Sequence, residues 1–276
     1  MSKVPAAVLR PPSAVRPSRS RTFPWYDSQW LSAYERAKAI IAAVRPAMLG
    51  EFADAFRVLH TRADFRPVLF ENMFDGETLA QIRRTTASLA HSKIELHEAG
   101  MFRRFVVHDQ PFFSELQSHI VARVSDAAGE PLESSYNFLS LYGAGGVCPV
   151  HLDALEAKWT LDFCIDQSAP WPVYFSRPQP WPEPGAGPWA AEGDWAEAIK
   201  RDASNQFTRH LLTPGQAVLF SGSSQWHYRD VMPRAAGRQF CDLLFFHFIP
   251  RGTAELLKPA NWARLFNVPE LRETEI

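Results

Sequence analysis

Cysteine is scarce in this 276-residue chain: Cys148, Cys164 and Cys241 are odd in number and form no CxxC pair. A disulfide framework is therefore not expected, the thiols read as small core residues, and a reducing compartment, by default the cytoplasm, is the expected location. Net charge is also nearly missing, with 29 basic residues against 30 acidic ones. No global field steers the chain to nucleic acid or to an acidic membrane, so neither partner is expected. No run of roughly eighteen apolar residues is present, and the N-terminus lacks the short apolar stretch of a secretory signal. Nothing repeats. What is plentiful is core material: 46% of residues are hydrophobic and 13% aromatic, enough for one large domain with embellishments.

Residues 1–22 carry five basic residues, no acid and four prolines, and read as a flexible basic arm. Such leaders resemble organelle-targeting segments, but the prolines break a continuous amphipathic helix. A helical extension is expected over 23–66, with Asp27 and Ser28 as candidate caps and Trp30, Tyr34, Ala37, Ile41 and Val44 at helical spacing up to Pro46. It can dock on its own core or on a second subunit, and the oligomeric state is not legible. From Pro67, PVLFENMF reads as a strand leading to Asp75, the N-cap of a helix with Leu79, Ile82 and Leu89 inward. After the strand-like FRRFVV, a second helix is expected to use Asp109 as cap and Pro111 in its first turn, to bury Phe113, Leu116, Ile120 and Val124, and to stop at Gly129.

From about Tyr136 the pattern changes to short β-rich runs: YNFLSLY, WTLDFCI, WPVYF, QAVLF and RQFCDLLFFHF. Helices followed by strands predict a mainly β, α+β domain over 67–250, with an antiparallel core and helices packed on it, and a tail over 251–276. Residues 168–206 interrupt the block with seven prolines and four of the nine tryptophans, Trp171, Trp181, Trp189 and Trp195. So many large rings suit a folded lid or a structural plug better than a solvated linker.

Within this block, YGAGGVCPVHLDA places His151 and Asp153 two positions apart, on one face of an extended segment. An HxD pair alone is weak and can be mere surface decoration. Downstream, TPGQAVLFSGSSQWHYRDVMPRAAGRQF supplies a turn, a strand, a bend and His227, followed eleven residues later by Arg238. Two imidazoles and one carboxylate with coordination positions left open suit non-haem Fe(II). Such an ion has room for a bidentate 2-oxo acid and for O2, and the acid's far carboxylate needs a fixed counter-ion. The Arg238 guanidinium, with its two parallel donors, is the candidate, although alone it would read as a salt-bridged strand end.

The HLD at 151–153, the TPGQAVLF strand, His227 and GRQF resemble the Fe(II)/2-oxoglutarate-dependent dioxygenases, in particular the prolyl 4-hydroxylase-like group, with PVLFENMFDGETLAQI matching its entry. The resemblance implies a double-stranded β-helix, a jelly-roll relative, with iron at its open end and ascorbate as an auxiliary reductant. It also implies oxidative decarboxylation of 2-oxoglutarate to succinate, coupled to hydroxylation of a C–H bond. Halogenating relatives have a small residue at the position of Asp153, so the carboxylate points to hydroxylation. Tyr142, nine residues before His151, stands where relatives place a tyrosine that contacts cosubstrate or substrate. The chain departs from the pattern after WTLDFCID, where WPVYFSRPQPWPEP replaces a Gly-Gly strand, so substrate identity does not carry over.

Alternation in WTLDFCID sends Trp159, Leu161, Phe163 and Ile165 to one face. If that face packs on helices, Thr160, Asp162 and Cys164 line the barrel, and Thr160 is a candidate donor to 2-oxoglutarate. Asp162 and Asp242 then need partners, such as Arg238 or a ligand histidine. His108, His119 and His210 fit solvated or capping roles, and His247 fits a satisfied core histidine. A small molecule, amino acid derivative or peptide is the expected substrate. Protein prolyl or aspartyl hydroxylation, a cupin-like metal sensor without turnover, and a metal-dependent isomerase or hydrolase are the alternatives.

Overall fold

The computed structural model describes residues 29–181, 194–234 and 237–274. The arm expected at 1–22, the caps at Asp27 and Ser28, and Trp189 with the middle of the insertion lie outside the described residues. Two antiparallel sheets face one another. The larger contains β1 (Val68–Phe70), β2 (Arg104–His108), β3 (Leu132–Tyr142), β5 (Trp159–Gln167), β8 (Ala217–Phe220) and β10 (Cys241–Pro250), in the order β1-β8-β5-β10-β3-β2. The smaller runs β4-β9-β6-β7, from β4 (Cys148–His151), β6 (Val173–Phe175), β7 (Thr208–His210) and β9 (His227–Arg229). From β3 onward the chain passes back and forth between the sheets, giving the double-stranded β-helix, left open rather than closed into a barrel.

The alternation expected of WTLDFCID holds. Trp159, Leu161, Phe163 and Ile165 pack outward with Ile82, Phe113, Leu116, Ile120 and Val124 from α3 (Gly76–Ala87) and α4 (Pro111–Ala128). Their neighbours Thr160, Asp162 and Cys164 turn between the sheets. Asp75 caps α3 by accepting from the Thr78 amide at 2.7 Å, and Gly129 ends α4 in the left-handed region, at φ 78°. The cap of α4 is Gln110 rather than Asp109: Gln110 Oε1 accepts from the Phe113 amide. Asp109, itself at φ 46°, instead accepts from the Asn137 amide and so ties the helix entry to β3.

The outer face of the smaller sheet is covered from both ends of the described chain. Trp30, Tyr34, Ala37 and Ile41 of α1 (Gln29–Val44) form one cluster with Phe52 of α2 (Leu49–Ala55), Leu257, Trp262 and Leu271. Trp30 Nε1 donates to the Leu257 carbonyl at 2.8 Å. The extension thus docks on its own chain, and the residues expected to form a tail are part of the same core. The insertion is more regular than expected, since β6 and α5 (Trp195–Arg201) lie within it. Its described tryptophans pack inward: Trp181 stacks on His60 and meets Trp30 and Tyr34 edge-on, while buried Trp171 donates to the Asp230 carbonyl. Among the described residues, no helix is long and apolar enough to cross a membrane.

Candidate metal centre

His151 ends β4 and His227 opens β9, and the two are direct cross-strand partners. That pairing brings together residues 76 positions apart, with imidazole centroids 4.1 Å from one another. Asp153 lies just past β4, where its amide donates to the Gly222 carbonyl at 2.9 Å. One ligand atom from each of the three lies within 4.8 Å of the others.

The donor chemistry can be tested from the hydrogen bonds. His151 Nδ1 lies 2.7 Å from the Pro149 carbonyl and His227 Nδ1 2.9 Å from the Gln225 carbonyl. A carbonyl only accepts, so each Nδ1 carries a proton and each Nε2 is the nitrogen turned the other way, towards Asp153. Those Nε2 atoms stand 3.4 and 3.5 Å from Asp153 Oδ1. Burial raises the Asp153 carboxyl, but the facing imidazoles outweigh it and hold the group well below the usual carboxylate range. Two imidazole nitrogens and an ionised carboxylate oxygen thus converge on one point, with the second nitrogen of each ring fixed by backbone. This fits a divalent transition metal.

The triad opens on a cavity of about 170 Å³ between the sheets. Its charged groups come as pairs. Arg229, two positions beyond His227, is 4% exposed; its Nη2 meets Asp162 Oδ2 at 2.6 Å and its Nη1 donates to the Trp171 carbonyl. Burial works against the Arg229 charge, but Asp162 more than offsets it, so the guanidinium stays protonated. Arg104 pairs with Glu98 and donates from Nη1 to Tyr142 Oη at 2.8 Å. Burial pushes the Tyr142 phenol up, which keeps its proton available to the cavity.

Two expectations need correction. Arg238 is exposed, does not line the cavity and lies over the Phe240 ring at 5.5 Å. It precedes β10 instead of opening it, so no strand turns it inward. The cavity arginines are Arg229, which is buried, and Arg104, which is partly buried; the sequence signal for Arg229 was its i+2 spacing from His227. Thr160 does line the cavity, but its only proton is committed: Oγ1 donates to Asp153 Oδ2 at 3.1 Å. No proton is left for a 2-oxo acid. Tyr142 does line the cavity.

The remaining candidates divide as follows. His108 bonds Glu95 at the cavity rim, His119 is exposed, and His210 meets Thr208 Oγ1. His247 lines the cavity, but its Nε2 is unsatisfied among the described residues. Cys164 and Cys241 are core thiols, whereas Cys148 borders the cavity. Asp162 finds its partner in Arg229.

Asp242 sits across from Asp166 on β5. Burial pushes it up to about 6, with Arg238 pulling the other way. Because this folded value lies above the ordinary carboxyl value of 3.8, Asp242 favours the fold at low pH and loses that contribution as pH rises through about 6. Asp242→Asn is therefore expected to raise the melting temperature at pH 7.5 and to leave it nearly unchanged at pH 4. An equal change at both pH values would show that the carboxylate's ionisation is not the cause.

No family model matches the chain, and no curated protein matches it. Solved structures with a similar fold include proteins that bind or depend on 2-oxoglutarate. HygX from Streptomyces hygroscopicus, with nickel and 2-oxoglutarate bound, is 12% identical over 67% of this chain and 83% of its own, at a TM-score of 0.47. The alpha-ketoglutarate-dependent carbocyclase SnoK from nogalamycin biosynthesis is 12% identical over 69% and 85%, at 0.49. EctD from S. alaskensis is 11% identical over 70% and 81%, at 0.48. At such distances the functional reading rests on this chain's own geometry.

Proposed function

We propose that the protein is an Fe(II)- and 2-oxoglutarate-dependent dioxygenase that hydroxylates a C–H bond of a small molecule, amino acid derivative or peptide. The observation that carries this reading is the convergence of His151 Nε2, His227 Nε2 and Asp153 Oδ1 beside a cavity lined by the buried Arg229. Iron bound there supplies dioxygen activation at the expense of a 2-oxo acid, which becomes succinate and CO2.

The chain's own groups have separate tasks. His151, His227 and Asp153 hold the metal on one side and leave the cavity side open. Arg229 takes the anionic end of the cosubstrate in place of Arg238, and the Tyr142 hydroxyl donates alongside it. Val173, Phe220 and Phe245 line the same space and limit water. A metal sensor without turnover has no use for a buried guanidinium at this position. Placement in the prolyl 4-hydroxylase-like group rests on the HLD, TPGQAVLF and GRQF stretches. Three free thiols suit a reducing compartment.

The test is succinate formation by purified protein with Fe(II), ascorbate, 2-oxoglutarate and O2. Turnover is expected in the wild type and absent in His151→Ala. Equal succinate from both, or metal-dependent turnover without O2, overturns the oxygenase reading.

A further inference from the structure

His247 lies on β10 directly across from Thr160 of β5. It is 2% exposed. One ring face is stacked on Tyr136, with centroids 4.2 Å apart, and Phe138 stacks at 5.4 Å. Its Nδ1 is 3.0 Å from Thr160 Oγ1, and the same hydroxyl is 3.1 Å from Asp153 Oδ2.

The polarity of this chain is forced. Thr160 Oγ1 faces Asp153 Oδ2 at 3.1 Å and, further off, the Ala157 carbonyl at 3.4 Å, both of them acceptors, so its single proton goes to the nearer of the two, Asp153 Oδ2. Thr160 can then only accept from His247, which fixes the His247 proton on Nδ1. Burial pushes the ring down to about 4, so it is neutral at pH 7 and has no second N–H. Nε2 is accordingly a bare acceptor, consistent with its lack of a partner among the described residues. The room around the chain is equally restricted: a Cβ on Gly222 would lie 2.3 Å from Asp153 Oδ2 and 2.7 Å from Thr160 Oγ1. With Oδ2 confined there, Oδ1 is the oxygen left to face the two imidazoles.

We infer that His247 is a positioning residue for the metal centre. By donating to Thr160 it orients that hydroxyl onto Asp153, and so sets which carboxylate oxygen faces the metal. The inference rests on the reading that the triad binds a divalent metal. It adds a group from the last strand, β10, that touches no ligand atom directly.

The test uses the full chain, Co(II) as probe, and both dissociation constant and visible ligand-field spectrum as readouts. His247→Phe keeps the ring stack but removes the donor, and Thr160→Val keeps the shape but removes the hydroxyl. Each is expected to weaken Co(II) binding roughly tenfold to a hundredfold and to alter the spectrum, the usual scale for losing a group that orients a ligand. His247→Asn places an N–H near the position of Nδ1, and Thr160→Ser keeps the hydroxyl; both are expected to restore most of the affinity. The double variant His247→Phe/Thr160→Val is expected to be no worse than Thr160→Val alone, because the histidine acts through the threonine.

Binding by His247→Phe within twofold of wild type, additive losses in the double variant, or equal losses in His247→Asn and His247→Phe would each overturn the inference. The metal reading fails separately, if wild type and His151→Ala bind Co(II) alike.

Discussion

Gly222→Ala is expected to remove the metal centre while leaving both histidines and the aspartate in the sequence. The methyl group would fall 2.3 Å from Asp153 Oδ2, 2.5 Å from the Ala157 carbonyl and 2.7 Å from Thr160 Oγ1. Two of these neighbours are anchored, one as backbone and one in the core of β5, so the carboxylate is the group that gives way. Overpacking of this kind costs about 1–3 kcal/mol. The Asp153 amide also donates to the Gly222 carbonyl, so a shift of either backbone moves the ligand. Co(II) affinity is expected to fall by roughly a hundredfold, at the upper end for disturbed ligand orientation. The check is a Co(II) titration beside a thermal melt. A protein that melts slightly lower but binds Co(II) as tightly as wild type would show that Asp153 Oδ2 can be displaced without loss of the site.

Arg229→Lys is expected to raise the 2-oxoglutarate concentration needed for half-maximal succinate formation by about tenfold or more, whereas Arg238→Met stays near wild type. Lysine keeps the charge that neutralises Asp162 but loses the planar pair of donors that matches a carboxylate. A tenfold loss corresponds to about 1.4 kcal/mol. Lysine is the better probe because removing the charge entirely would strand a buried carboxylate, at about 3–5 kcal/mol of stability. The opposite pattern, with Arg238→Met impaired and Arg229→Lys unaffected, would return the anchoring role to the position expected from GRQF.

The contrast between these arginines shows what was legible in the sequence. The period-two pattern of WTLDFCID separated helix-facing from cavity-facing residues correctly, because both faces of that strand are buried against different surroundings. His151, Asp153 and His227 were found because a strand alternation and a downstream β run left them little else to do. Arg238 was misplaced because residue order along a loop does not fix where a strand starts: β10 begins at Cys241, leaving the arginine outside. Thr160 was correctly directed inward, but the orientation of its hydroxyl could not be seen, since it depends on His247, 87 residues away, as well as on Asp153. Gly222 had no signal at all; its φ is ordinary, and only the approach of Asp153 makes a side chain intolerable there.

The clustering of both described ends behind the smaller sheet reaches into the chemistry. Val150 and Leu152 sink into that helical cluster, and they alternate along the chain with His151 and Asp153, which border the cavity. The apolar pair works as a keel for the polar pair. Whatever loosens Trp30, Leu257 or Trp262 lets this segment roll, so trimming the C-terminal helices would unseat a ligand more than 100 residues away in sequence.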